Sequence, residues 1–351
     1  MVLPHVVAPL RLPTDSAVDS AEHGQSARRG EFALIEQYFK NLTDQDGVLL
    51  GIGDDAALVN ATGGPHSDLV VATDSLLQSV HFPAIASAYD IGRRTLSVNL
   101  SDFAAMGATP RWFTLALSLP VETANSVWLE QLSAGLAEVA NRAGCALIGG
   151  DTTCGALALT VTLIGEVPTG QALRRDGARE GDRLYVTGTL GDGAGALQML
   201  LKDDVATQDP RLFEHFYAPI LRLDEGIRLR NLASACIDIS DGLIADLSHV
   251  CTASGVGAEL QLSALPIEQR LRRDFPDLCT DWALSGGDDY ELCFSVPETR
   301  TGDLCKLIET GYLDATEIGI ITASRGISLL GDDGCRVLVD SQYSGYDHFA
   351  G

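Results

Sequence analysis

Aspartates recur beside glycines, or at the end of β-branched runs, along much of this 351-residue chain. Asp54 and Asp55 stand in the segment LLGIGDDAAL, and Asp74 follows in VATDS. A single acid in such a place is usually a turn former or a helix cap. Several carboxylates that converge in one cleft, however, repel one another and need cations between them. The recurrence therefore predicts a metal site, and an all-oxygen ligand set suits Mg²⁺, Ca²⁺ or Mn²⁺ better than zinc.

The neighbouring glycines add a second expectation, which is a phosphate ligand. Glycine lets a backbone approach phosphate oxygens closely, and helices that begin after GDGAG and SDG would offer free N–H groups to an anion. Magnesium with phosphate is the joint interpretation that this pattern favours. The acids that share the setting are Asp54, Asp55, Asp74, Asp102, Asp151, Asp238, Asp241, Asp288 and Asp289.

Several well-known phosphate and metal motifs are missing. None of the three lysines follows a glycine-rich loop, so P-loop chemistry is excluded. The protein-kinase motifs H-R-D and D-F-G are absent, and GDGAG does not fit the dinucleotide pattern G-x-G-x-x-G. The segment DISDG lacks the residue order of a calcium EF-hand.

Composition narrows the class of partner and the location. The formal net charge of -24 argues against nucleic acid or an anionic membrane as a partner. The sequence has no uninterrupted apolar run of the roughly 20 residues that a membrane helix requires, and no secretory signal is recognisable at its start. We therefore expect a cytoplasmic protein. Eight cysteines without C-x-x-C pairs are expected to be mostly buried thiols.

The elements that must position these acids alternate between strands and helices, which predicts an α/β protein with mixed sheets. The run LVVATDS indicates a strand that delivers Thr73 and Asp74 at its carboxyl end. The segment SAYDIGRRTLSVNLSDFAAMGA indicates a helix that closes on Gly107 and carries Asn99 and Asp102 on one face. A polar, glycine-rich stretch at 168–182 marks a boundary, after which a similar layout begins again.

Nine segments, in order from Gly30 to the C-terminus, resemble the thiamine-monophosphate kinase family. This family belongs to a superfamily that includes aminoimidazole ribonucleotide synthetase and selenophosphate synthetase. The segments are GEFALIEQYF, GIGDDAAL, ATDS followed by VHF, SVNLSDFAAMGATP, LIGGDTT, RLYVTGTLGD, IDISDGL, LSGGDDYEL and GYDHF.

The resemblance implies a two-domain α/β architecture. Residues 1–28 lack a sustained period and are rich in Pro, Ser and Ala, so their composition predicts a flexible extension. By the resemblance, residues 29–168 would be an N-terminal mixed-sheet domain that binds ATP and Mg²⁺ and forms a homodimer, and residues 169–351 would be a C-terminal α/β domain that closes the active site. It also implies the reaction: ATP and thiamine monophosphate would give thiamine diphosphate and ADP, with several Mg²⁺ ions.

Site residues follow from the resemblance position by position. Asp74, Asp102 and Asp238 would hold the bridging ions, and Arg175 would meet charge on the transferred group. The full metal set would be Asp55, Thr73, Asp74, Asp102, Asp151, Asp238 and Asp241. ATP would meet Gly150, Asp151, Arg175 and Ser240. The thiamine substrate would meet His81, Asp288 and Tyr346.

The chain departs from the family in three places. Ala72 stands where members often have Ser, so a metal contact there would fall to the backbone. Asp288 stands where many have the longer Glu. The N-terminal extension of about thirty residues is a further difference. Without the resemblance, the residues do not decide between Arg174 and Arg175.

The proposed chemistry agrees with the charges. A phosphate monoester has a second pKa near 6 and is largely ionised at neutral pH, so a direct in-line transfer needs no general base. The main barrier to this transfer is the repulsion between ATP and the phosphate monoester, which are both polyanions, and divalent ions bound between them would remove it.

Two alternatives stay open. One is another ATP-using enzyme of the superfamily. A selenophosphate synthetase would carry a reactive Cys or selenocysteine and a Lys near its start, and residues 1–39 contain neither. The VHF and GYDHF segments argue against a relative that activates amide-type oxygens. The other alternative is a nucleotide- and metal-binding scaffold without turnover.

Overall fold

The computed structural model describes residues 48–50, 53–59, 66–201, 210–331 and 333–339. The predicted N-terminal extension, the segment GEFALIEQYF and Tyr346 all lie outside these ranges. Within them, the chain forms two mixed sheets with helices, as the alternation of strands and helices predicted.

The first sheet has six strands in the order β1-β2-β3-β6-β4-β5, and β4 and β5 are its parallel pair. Its strands are β1 (Val48–Leu50), β2 (Ala57–Val59), β3 (Ser67–Leu77), β4 (Thr109–Leu119), β5 (Ala146–Cys154) and β6 (Ala158–Pro168). Every second residue of β6 is buried, which is the pattern of a strand with one face against a core.

The second sheet has seven strands in the order β13-β12-β9-β11-β7-β10-β8. They are β7 (Arg183–Thr187), β8 (Ala235–Asp238), β9 (Gly257–Gln261), β10 (Leu292–Val296), β11 (Ala315–Thr322), β12 (Gly326–Leu330) and β13 (Arg336–Leu338). The chain crosses between the sheets through 169–182, the polar stretch in which the sequence places a boundary.

Nine α-helices accompany the sheets within the described ranges. They are α1 (Ala88–Ala105), α2 (Ser126–Ala143), α3 (Asp192–Leu201), α4 (Pro210–Tyr217), α5 (Leu223–Leu229), α6 (Leu243–Ser254), α7 (Gln269–Asp274), α8 (Cys279–Ser285) and α9 (Thr301–Glu309). In this described part of the chain, no helix combines the length and the apolar character that crossing a bilayer requires.

Helix α1 is the central element. Of its 18 residues, 15 are buried, because it packs against the first sheet on one side and against β8 and α5 on the other. Local signals fix its ends: the Ser87 side chain accepts a hydrogen bond from the Asp90 N–H, and Gly107 adopts a positive φ of 59°. The helix predicted to close on Gly107 is therefore confirmed.

Strand β3 differs from the prediction in its length. It continues to Leu77 because all eleven of its residues pair with β6, so Thr73 and Asp74 lie within the strand and not at its end. Adjacent strand residues point to opposite faces of a sheet. Asp74 shares the face of Val70 and Ala72, which are buried toward α1, whereas Thr73 points away from it.

Candidate active site

Three carboxylates from distant parts of the sequence converge at the junction of the two sheets. Asp55 lies in the turn before β2, Asp102 in the last turn of α1, and Asp238 at the end of β8. One oxygen from each lies within 4.8 Å of the other two. We call Asp55, Asp102 and Asp238 the acidic cluster. Its members come from both halves of the chain, as the sequence predicted for a shared cleft.

Asp74 borders the acidic cluster from β3. It retains solvent contact, and its carboxyl group forms a hydrogen bond with Asp102. Crowding by the surrounding protein raises its pKa, and the Asp102 hydrogen bond opposes that rise.

The acidic cluster cannot carry its full negative charge in this environment. Burial, followed by the charges of Asp74, Asp238 and Asp55, raises the pKa of Asp102 well above its usual value. Burial and Asp55 do the same for Asp238. Burial and Asp55 also raise the pKa of neighbouring Asp54 to about 7. Closely spaced acids of this kind retain protons unless a cation replaces them.

Arg175 supplies a cation at one side of the acidic cluster. Its guanidinium donates from Nη2 to Asp55 Oδ1 at 2.8 Å and from Nε to Asp55 Oδ2 at 3.1 Å, while its backbone N–H donates to Asp54. Burial acts to raise the pKa of Asp55, but the charge and hydrogen bonds of Arg175 outweigh it, so the pKa lies below the usual value. Arg174 instead pairs with Asp176. The geometry thus distinguishes the two arginines.

The loop after β8 carries Ser240 and Asp241, two of the predicted ligands. The Oδ2 atom of Asp246 in α6 accepts hydrogen bonds from the N–H groups of Ser240, Asp241 and Gly242, each at 3.1 Å. Gly242 has a φ of 119°, which favours glycine over other residues. Asp246 therefore fixes the path of this loop.

A second buried acid organises the glycine-rich segment GDGAG. The Asp289 carboxylate accepts from the Gly191 N–H at 2.8 Å and from the Gly193 N–H at 3.1 Å, at the start of α3. Two of the backbone N–H groups that were expected to bind a phosphate thus already donate to Asp289. Asp289 was among the acids singled out in the sequence, whereas Asp246 was not, and the roles of both depend on loops that no local pattern specifies.

Thr73, Gly150 and Asp151 lie apart from the acidic cluster. In the register of the first sheet, Asp151 of β5 pairs with Ala116, Ala116 with Thr160, and Thr160 with Ser75. The side chain of Asp151 therefore shares the outward face of Ser75, and of Thr73 two residues before it. Three strand spacings, about 14 Å, separate β5 from β3. The described chain does not bring Asp151 to Asp74, and its ligand role stays a prediction.

The predicted thiamine residues approach each other from the two halves of the chain. His81 lies in the turn after β3, where its Nδ1 accepts from the Leu77 N–H at 3.0 Å. Asp288 lies before β10 with a φ of 71°. A buried arginine, Arg94 of α1, contacts both residues. Sequence patterns missed Arg94, because no local motif distinguishes it from the adjacent Arg93 on the same helix.

Comparison with known proteins agrees with this geometry. The family model for the AIR synthase related protein, N-terminal domain, matches residues 53–167, and the corresponding C-terminal domain model matches residues 179–332. The thiamine-monophosphate kinase of Escherichia coli K12 is 44% identical over 329 residues, which cover 92% of this chain and 98% of that protein.

Two solved structures extend the likeness to three dimensions. The thiamine-monophosphate kinase of Stenotrophomonas maltophilia K279a has a TM-score of 0.71 and 45% identity, and the match covers 87% of this chain and 96% of that one. AaThiL complexed with AMPPCP and TMP has a TM-score of 0.78 and 32% identity, with 91% and 97% covered. On this sequence and structural similarity, the chain belongs to the thiamine-monophosphate kinase family.

Proposed function

We propose that the protein transfers the γ-phosphoryl group of ATP to thiamine monophosphate, giving thiamine diphosphate and ADP. The observation that carries this proposal is the acidic cluster, in which Asp55, Asp102 and Asp238 meet at the junction of two sheets. Family membership supports the choice of substrate, because the structure of AaThiL holds AMPPCP and TMP together.

The donor set fits Mg²⁺. All the ligand atoms of the acidic cluster are carboxylate oxygens, which hard divalent cations prefer. The pKa values of Asp102 and Asp238 are raised because the negative charge of the cluster is not compensated, and a bound cation would compensate it. Bound ions would supply the charge that lets two polyanions approach each other. We propose that Asp55, Asp74, Asp102 and Asp238 hold them. Asp241 is proposed as a further ligand, and Thr73 and Asp151, which lie apart from the acidic cluster, are proposed as ligands of additional ions.

The protein's own groups would then align the reactants. The loop fixed by Asp246 would present Ser240 to ATP, together with Gly150 and Asp151 from β5. Arg175 would exchange its contact with Asp55 for charge on the transferred group. The acceptor phosphate is already ionised, so positioning and charge stabilisation suffice for a direct in-line transfer. His81, Asp288 and Tyr346 would position the thiamine part of the acceptor.

The exposed surface of β5 supports the proposal of a homodimer. All nine residues of β5 are exposed, and Leu147 and Ile148 are 53% and 57% accessible at the edge of the first sheet. An exposed edge strand that carries large apolar side chains is usually covered by a partner. We propose that the domain of residues 29–168 pairs here with a second copy, while the domain of residues 169–351 closes over the substrates in a cytoplasmic enzyme. Sedimentation of the purified chain as a monomer would contradict the pairing.

Phosphorus NMR tests the reaction directly. Purified protein with Mg²⁺, ATP and thiamine monophosphate should convert the monophosphate resonance into the two coupled resonances of a diphosphate. Free thiamine in place of the monophosphate is the control and should give no phosphorylated product. If no diphosphate forms while ATP still binds, the protein is a scaffold. If free thiamine is phosphorylated, the monophosphate is the wrong acceptor.

A further inference from the structure

Arg94 is a charged side chain in the interior of the protein. It lies on α1, the helix between the two sheets, and is 1% exposed. Burying a guanidinium removes it from water, and the cost in free energy is high unless its N–H donors form hydrogen bonds inside the protein. The hydrogen-bond partners of Arg94 therefore indicate which segments of the chain it positions.

Three segments of the chain provide those partners. Nε donates to the backbone oxygen of His81 at 2.8 Å, Nη1 to the backbone oxygen of Phe216 at 2.6 Å, and Nη2 to Asp288 Oδ1 at 2.5 Å. The guanidinium carbon also lies 4.0 Å from the centre of the Phe216 ring. One planar group thus joins the turn after β3, the end of α4 and the loop before β10.

The contact with Asp288 leaves one carboxylate oxygen available. Arg94 and the hydroxyl of Tyr290, at 3.0 Å, both donate to Oδ1. Among the described residues neither of these donors reaches Oδ2, and the side chain of Asp288 is 24% exposed. The backbone is fixed as well, since the Asp288 N–H donates to the Ser240 oxygen at 2.9 Å. Oδ2 is therefore held in a fixed orientation and is open to a ligand.

We propose that Arg94 is a positioning residue for the phosphate acceptor, holding His81 and Asp288 at a fixed separation across the junction of the two halves. This inference rests on the proposed function, in which those two residues meet thiamine monophosphate. Because Arg94 is buried, it acts through them and does not touch the substrate.

The fork shape of the side chain explains why arginine is required. The guanidinium has donors pointing in several fixed directions within one plane, whereas a lysine ammonium is a compact point charge on a flexible stem. Lysine could keep the charge near Asp288 but could not also reach both backbone oxygens. Arg94→Lys should therefore preserve the charge and lose the alignment.

Arg93 provides a matched control on the same helix. It is also buried, at 6% exposed, and pairs with Asp90 of its own helix, Glu138 of α2 and Glu214 of α4. It contacts neither His81 nor Asp288. Arg93→Lys thus disturbs a buried arginine network of similar size without disturbing the proposed acceptor site.

Steady-state kinetics of the full-length wild type, Arg94→Lys and Arg93→Lys, with each substrate varied in turn, tests the proposal. Arg94→Lys should raise KM for thiamine monophosphate by about tenfold or more, since small misplacements of positioning groups have effects of that order. KM for ATP should change by less than about twofold. Arg93→Lys should change neither value by more than about twofold. KM does not depend on the folded fraction, so partial unfolding cannot imitate this result.

Equal KM values in Arg94→Lys and the wild type, or equal increases for both substrates, would overturn the assignment. A wild type that does not use thiamine monophosphate would instead overturn the proposed function. Should Arg94→Lys yield no folded protein, Tyr290→Phe removes the other donor to Oδ1. An unchanged KM in Tyr290→Phe agrees with positioning by Arg94, whereas an increase of about tenfold would assign the positioning to the tyrosine hydroxyl and overturn the proposal.

Discussion

Arg175 and Asp55 form a two-point ion pair, with Nη2–Oδ1 and Nε–Oδ2 distances of 2.8 and 3.1 Å. Parallel hydrogen bonds of this kind are among the stronger side-chain interactions in proteins. The two residues also have separate expected roles, Asp55 with Mg²⁺ and Arg175 with ATP. The pair is therefore the contact that metal and nucleotide must reorganise together.

Replacing Arg175 should separate these roles. In Arg175→Gln, Asp55 no longer has its cationic partner, so Mg²⁺ alone should bind about tenfold more tightly. Turnover should fall roughly a hundredfold or more, because charge on the transferred group loses its partner. Titration calorimetry and a kinase assay check the two effects. Arg174→Gln, which removes a surface pair with Asp176, is the control. Weaker metal binding in Arg175→Gln would contradict the competition.

Metal affinity should rise with pH. The pKa of Asp54 is about 7, and those of Asp102 and Asp238 lie well above their usual values, so the metal-free cluster holds protons that Mg²⁺ must displace. Titration calorimetry in two buffers of different ionisation enthalpy should detect proton release on binding. Binding without proton release, or affinity independent of pH, would contradict these shifts.

The same groups give the stability of the metal-free protein a definite pH dependence. An acid whose pKa is raised by folding binds more protons in the folded state than in the unfolded one. The free energy of unfolding therefore falls as pH rises, and the contribution of Asp54 is lost between about pH 4 and pH 7. Without Mg²⁺, Tm should decrease across that window, and saturating Mg²⁺ should reduce the decrease. Asp55, whose pKa is lowered, contributes stability that is lost at more acidic pH. A Tm that rises across the window without Mg²⁺ would contradict the prediction.

Asp74→Asn should nearly abolish turnover while the fold persists. The substitution keeps the size of the side chain and removes a charge beside Asp102, so we expect a loss of at least about a hundredfold in kcat. The control is Asp68→Asn on the same strand, where the carboxylate accepts from the Thr169 hydroxyl at 3.2 Å. Near-normal rates in Asp74→Asn would remove this residue from the metal set.

Gly150 should be the less replaceable of two adjacent glycines. Its φ is 149°, and an added Cβ would lie 1.8 Å from the backbone oxygen of Leu115 on β4. Gly150→Ala should cost about 3 kcal/mol or more of unfolding free energy through strain and clash. Gly149→Ala meets nothing within 4 Å and should lie near the wild type. Urea unfolding of both variants measures the difference, and equal midpoints would contradict it.

Local signals in the sequence were enough to predict the two longest helices, α1 and α2. The cap at Ser87, the cap at Asn125 and the apolar stripe of each helix are properties of short segments, and α1 and α2 follow them. The grouping of Asp55, Asp102 and Asp238 was also expected, because the family resemblance placed all three in one metal set.

Other features depend on contacts between distant segments. Asp151 lies on the outward face because of the register of β5 against β4, which no single segment encodes. The length of β3 depends on its pairing with all of β6. Arg94 became interpretable only when its three acceptors, far apart in sequence, were seen around one guanidinium.

The contribution of carboxylates from both halves has a practical consequence for handling the protein. Cutting the polypeptide between residues 169 and 182 would leave Asp55 and Asp102 on one fragment and Asp238 on the other. Chelating agents should therefore expose this stretch to proteases, and saturating magnesium should protect it. Limited digestion is thus a readout of ion occupancy that requires no turnover.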